Sequence, residues 1–115
     1  MDNLPLSIEA IPGQSQGQVV MALSGPLILN NLFSFQDAVR AEKSPVVILD
    51  LANVPYMDSA GLGSILNAHV SRSNSGRRLA LAAVPERVLT MIRAARVDKA
   101  LTIFATLQEA KEKMV

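Results

Sequence analysis

At 115 residues and a net charge of +1, with half of its residues hydrophobic and only four aromatic, the chain has apolar mass for one buried core and lacks the stacking platforms and strong basic excess of a nucleic-acid binder. The absence of cysteine rules out disulfides and thiolate metal sites and agrees with a reducing compartment. The small net charge hides an asymmetry: residues 1–58 carry 2 basic and 6 acidic side chains, residues 59–115 carry 9 and 4, so a basic second half could steer an acidic protein partner.

Along the chain, Leu6, Ile8 and Ile11 alternate with polar neighbours, Pro12 to Gly17 supplies a turn, and Val19 to Leu23 resumes an extended pattern, which predicts a β-hairpin. Ser24-Gly25-Pro26 breaks the second strand. Leu29, Leu32, Phe33 and Val39 then share one face of a predicted helix ending near Lys43, before Ser44-Pro45. Val46, Val47, Ile48, Leu49 and Leu51 form a nearly unbroken apolar run, the pattern of a strand buried on both faces. Asp58-Ser59 follows at the start of a helical pattern carried by Leu62, Ile65, Leu66 and His69, with Ser64, Asn67 and Ser71 on its other face and a stop at Gly76. Leu79 to Val84 predicts another strand, and Pro85-Glu86 opens a helix burying Val88, Leu89, Ile92 and Ala95. Leu101 to Phe104 is a further short strand, and Thr106 with Glu109 is a capping-box pattern for a last helix.

The order is strand-strand-helix-strand-helix-strand-helix-strand-helix. Strand-helix-strand units of this length favour parallel strands with right-handed crossovers, so the expected fold is α/β: a mixed, mostly parallel sheet of four to five strands against about four helices. One domain over residues 1–115 is expected, with the first few residues disordered. There is no internal repeat or low-complexity segment. The start has no basic region followed by an apolar one, and no apolar run approaches the roughly 18 residues of a membrane span, which makes a cytoplasmic protein the default expectation.

The stretch Tyr56-Met57-Asp58-Ser59-Ala60-Gly61-Leu62-Gly63, between an apolar strand and an amphipathic helix, resembles the signature of the STAS family of bacterial anti-sigma factor antagonists and their relatives. The Ser24-Gly25-Pro26-Leu27 turn, the VVILDL strand, the Val84-Pro85 turn and the final strand and helix extend the resemblance over almost the whole chain. It implies that Ser59 is the residue phosphorylated by a partner that is both anti-sigma factor and serine kinase, with a PP2C-type phosphatase as the reversing partner. The partner surface expected beside it comprises Gly25, Pro26, Leu27, Asn30, Asp58, Ser59, Ala60, Gly61 and Gly63. One departure stands out: where many switch proteins of the family have an acidic residue after the turn, this chain has Ile28. That departure favours an alternative, a constitutive STAS adaptor or scaffold of a signalling complex or of a lipid-transport ABC system.

Independently of family, a phosphate on Ser59 would add about −1.5 to −2 charges at a helix N-terminus, where free N–H groups and the dipole tolerate an anion. A partner packed over that helix end would meet a dianion next to Asp58. The plain structural reading of the same residues is a capped helix whose glycines relieve crowding, with Leu62 pointing into the core. Other chemistries lack their parts. An esterase elbow needs glycine where Met57 stands, and the single histidine, His69, falls mid-helix as a partly buried structural residue. A dinucleotide loop needs glycine where Leu66 stands, and no phosphate-binding loop motif occurs. Carboxylates do not cluster as metal ligands. The expectation is therefore no catalytic residue, no metal and no cofactor; a small enzyme or ligand sensor using a pocket near Ser59 is the remaining rival. Most of Arg72, Arg77, Arg78, Arg87, Arg93 and Arg96 read as solvated, with a basic patch on one side that binds phosphate as the lesser alternative; the methionines read as core fillers, and the protein as a monomer or weak dimer without direct nucleic-acid contacts.

Overall fold

The computed structural model describes residues 5–115; the disorder expected for the first few residues concerns positions outside that range. Nine elements follow the predicted order: β1 (Ser7–Pro12), β2 (Gln18–Ser24), α1 (Leu32–Ala41), β3 (Val46–Asn53), α2 (Ser59–Asn74), β4 (Arg78–Ala82), α3 (Glu86–Ala94), β5 (Ile103–Phe104) and α4 (Leu107–Lys113). The strands form one five-stranded sheet in the order β1-β2-β3-β4-β5. β1 runs antiparallel to β2, and the other pairings are parallel, so the expected mixed, mostly parallel α/β fold with four helices is what the chain adopts.

Alternation along the strands divides the interior into two layers. Met21 and Leu23 of β2, Val47, Leu49 and Leu51 of β3, and Leu79 and Leu81 of β4 face α1, α2 and α3. Val20, Val46, Ile48, Ala80 and Ala82 face the other way, onto Ala110 and Met114 of the α4 region. β3 contributes to both layers, which explains its unbroken apolar sequence. A buried glutamine fastens the second layer: Gln18 Nε2 donates to the Lys111 and Met114 carbonyls at 3.0 and 2.9 Å, while its Oε1 accepts from Gln14 N at 2.8 Å. The capping box forms as read, with Glu109 N donating to Thr106 Oγ1 at 3.0 Å and the Glu109 carboxylate reaching back to Ala105 N at 3.1 Å.

Several side chains lie elsewhere than expected. Asn31 N donates to the Ile28 carbonyl in a turn, so α1 begins only at Leu32 and Leu29 is not on it. The buried stripe of α1 is Leu32, Phe35 and Val39, and Phe33 is 67% exposed. Ala95 ends α3 on the surface. Ser64 is buried, its hydroxyl donating to the Gly61 carbonyl at 2.7 Å. Arg72 is buried rather than solvated. The last strand is two residues long. Met21, Met57 and Met114 are interior, as expected of core fillers.

Candidate functional site

The site is built where β2 and β3 end side by side. Beyond the strands the two chains stay paired as loops: Gly25 N donates to the Asn53 carbonyl at 3.0 Å, Leu27 N to the Tyr56 carbonyl at 3.2 Å, and Asp58 N to the Leu27 carbonyl at 3.3 Å. Leu27 and Met57 form an isolated parallel bridge. The loop after β2 is thereby held against the start of α2 by an extension of the sheet's own ladder.

Asp58 makes this junction rigid. It is the N-cap of α2, with Oδ1 accepting from Gly61 N at 2.8 Å, the bond that satisfies one of the free amides of a helix start. Its second oxygen, Oδ2, accepts from Leu29 N at 3.0 Å, so one carboxylate ties the helix to the neighbouring loop. Asn31 braces that loop from inside: Oδ1 accepts from Ile28 N at 3.0 Å and Nδ2 donates to the Pro26 carbonyl at 2.7 Å. A Cβ on Gly61 would overlap the Leu27 carbonyl oxygen, and one on Gly25, whose φ is +111°, would overlap the Pro5 carbonyl oxygen.

These contacts sort the expected partner residues. Pro26, Leu27 and Gly61 are interior: Leu27 is fully buried, and the space that Gly61 leaves is taken by the Leu27 backbone, not left for a partner. This corrects the expectation that both glycines of α2 admit a partner. Gly63 does remain open, with no atom near a would-be Cβ. Ser59, the first residue of α2, is exposed, as is Asn30; Ala60 and Asp58 are half-buried. The structure adds two residues expected on the apolar face of a helix: Leu29 and Phe33, 59% and 67% exposed, on the loop that Asp58 holds and on the first turn of α1. Asn31, not Asn30, organises the loop. Arg87 of α3 lies over the Tyr56 ring, 5.2 Å from its centroid, and brings a cation to the loop between β3 and α2.

Nothing at this site assembles a nucleophile with a base. His69 follows Ser59 by ten residues, about 15 Å along a helix axis, on the half-buried side of α2. Among the described residues no group of three or more His, Cys, Asp or Glu could hold a metal ion, and no helix is long and apolar enough to cross a membrane. What the geometry offers is a rigid, solvent-facing helix start with one hydroxyl and an apolar flank.

Solved structures share this architecture. The Thermotoga maritima protein tm1081, described as a candidate anti-sigma factor antagonist, is 28% identical over 90% of this chain and 92% of its own, with a TM-score of 0.81. The Bacillus cell fate determinant SpoIIAA in its phosphorylated form is 16% identical over 95% of this chain and all of its own, with a TM-score of 0.72. A sulfate transporter family protein from Wolinella succinogenes is 21% identical over 85% and 84%, also with a TM-score of 0.72. At 16% and 21% identity the likeness is one of fold. Residues 9–110 match the family model for the STAS domain, and the chain belongs to that family.

Proposed function

We propose that the protein is a non-enzymatic anti-sigma factor antagonist whose partner choice is set by phosphorylation of Ser59. In this reading one domain spans residues 1–115 in the bacterial cytoplasm. With Ser59 free, the start of α2 and the loop beside it bind an anti-sigma factor that is also a serine kinase, and a sigma factor is released. Phosphorylation ends the contact, and a PP2C-type phosphatase restores it. The observation that carries the proposal is an exposed serine at the first position of a helix whose cap, Asp58, also fixes the adjoining loop and its exposed Leu29. Similarity to tm1081, described as a candidate anti-sigma factor antagonist, supports it.

The charge effect has the required size and direction. At the helix N-terminus an anion gains about 0.3–1 kcal/mol from the dipole, so the fold tolerates the phosphate. At a closed interface the same dianion, beside Asp58, is opposed by desolvation and like charge worth several kcal/mol, and each 1.4 kcal/mol is tenfold in affinity. Leu29 and Phe33 supply exposed apolar area for the bound state, and Phe33 is of the aromatic type enriched at interfaces.

A second reading keeps the fold and the surface without the switch: a constitutive adaptor. Ile28 supports it, because a half-buried apolar side chain with its backbone amide held by Asn31 stands where many switch proteins of the family carry an acid. Incubation with the candidate cognate kinase and ATP, read by intact mass and pull-down, separates the two. The switch requires one added phosphate, absent in Ser59→Ala, and loss of binding in the phosphorylated form and in Ser59→Asp. Binding without phosphate uptake assigns the adaptor. Phe33→Ala should weaken binding about tenfold or more under either reading, because an exposed aromatic beside the contact is buried by the partner.

A further inference from the structure

Two helix starts meet at the end of the sheet where Ser59 lies. β3 leads into α2, and its parallel neighbour β4 leads into α3; both helices pack on the same face, through Leu62 and Ile65 of α2 and Val88 and Ile92 of α3. Val88 is buried, which leaves Arg87 beside it facing solvent at the second position of α3. Its guanidinium still has a defined seat, over the Tyr56 ring. Tyr56 is held in turn, its carbonyl accepting from Leu27 N at 3.2 Å. A cation from α3 is thereby carried across to the loop that opens α2. Tyr56 stands three residues before Ser59, a stretch of at most about 11 Å when fully extended.

The charges around this loop can be set out one by one. Asp58 spends both carboxylate oxygens on backbone amides, those of Gly61 and Leu29. Glu86, next to Arg87, lies 3.8 Å from Arg93. Residues 25–31 carry no charge, and the first turn of α2 has no acidic residue. Among the described residues the ion pairs are Arg40 with Asp37, Arg93 with Glu86 and Lys113 with Glu109, so Arg87 has no carboxylate partner there and its N–H donors bond to no described group. A guanidinium resting on an aromatic ring keeps those donors for an anion, and phosphate is the anion whose geometry it matches bidentately.

We propose that Arg87 is the counter-cation of the phosphorylated state: a phosphate on Ser59 pairs with the Arg87 guanidinium within the same domain, and Tyr56 holds that guanidinium on the α2 side. The inference rests on Ser59 as the modified residue. Its consequence is regulatory. A neighbouring cation favours the dianion, so the phosphate keeps its full charge at pH values where a solvent-exposed phosphoserine, with a second pKa of about 6, has begun to take up a proton.

The test needs no kinase. Phosphoserine is installed at position 59 during translation of the full-length protein, and its second pKa is read by ³¹P NMR titration at low salt. Arg87→Gln should raise that pKa by about 0.3 to 1; Arg87→Lys, which keeps the charge, should restore at least about half of the difference, and about 0.5 M sodium chloride should shrink it. Arg96→Gln removes an exposed cation nine residues further along and should leave the value where it was. An Arg87→Gln titration within about 0.1 of the native one, or matching that of Arg96→Gln, overturns the proposal, and so does a shift that lysine fails to restore. A failed switch shows elsewhere, as equal binding of the kinase by the phosphorylated and unphosphorylated protein, and leaves the ³¹P result to stand alone.

Discussion

Asp58 does two jobs with two oxygens, and substitutions can separate them. Asparagine keeps an acceptor for Gly61 N and caps nearly as well as aspartate, whereas alanine loses the cap and the tie to Leu29 together. Asp58→Ala should therefore lower stability by about 1–2 kcal/mol and Asp58→Asn by much less, measured by urea denaturation. Gly61→Ala should cost about 1–3 kcal/mol, because its methyl would enter the Leu27 carbonyl and the loop must shift. Gly63→Ala, with open space around it, should be neutral or slightly stabilising. The different weights of these two glycines were not legible in the sequence, since both stand in one helical turn and only the folded approach of the loop after β2 tells them apart. The exposure of Ser59 and the cap before it were legible, because residue type and position at a helix start are local. Asn31 was missed in favour of Asn30 because two adjacent asparagines carry the same turn signal.

The central surprise among the helices is Arg72. It continues the buried stripe of α2 one heptad beyond Ile65, and there its guanidinium takes the carbonyls of Glu42, Ser44 and Arg78, joining the end of α1, the following loop and the start of β4. Each hydrogen bond to a charged group is worth about 1.5–3 kcal/mol, so Arg72→Gln, which keeps at most one or two of them, should destabilise by about 3 kcal/mol and lower the urea midpoint accordingly. The spacing from Ile65 was the available signal, but composition argued the other way: arginine is seldom buried, and no nearby carboxylate in the sequence announced a partner because its partners are backbone carbonyls. In α1 the error was one of register. Starting the helix at Leu29 turned Phe33 inward, whereas the spacing of Leu32, Phe35 and Val39 describes the stripe that is buried. Phe35 fills the core, and Phe33, expected on the apolar face, is left on the surface.

On the scale of the whole molecule, element types and order followed from the switch between alternating and helical periodicity, and the sheet's mostly parallel sense followed from the intervening helices. The two layers are unequally covered: three helices pack on one, α4 alone on the other. β1 is the exposed antiparallel edge, with five of its six residues on the surface and bonds to β2 alone. Its amides should exchange with solvent at least about tenfold faster than those of β3, which has a strand on each side and four fully covered residues at its start. Hydrogen exchange read by NMR checks this, and equal protection would mean that β1 opens only with the whole domain. Strand order in space repeats strand order along the chain, so no strand must be threaded between two that have already paired. Assembly can advance by accretion at a single growing edge, from the first hairpin outward, in the direction in which a ribosome delivers the polypeptide.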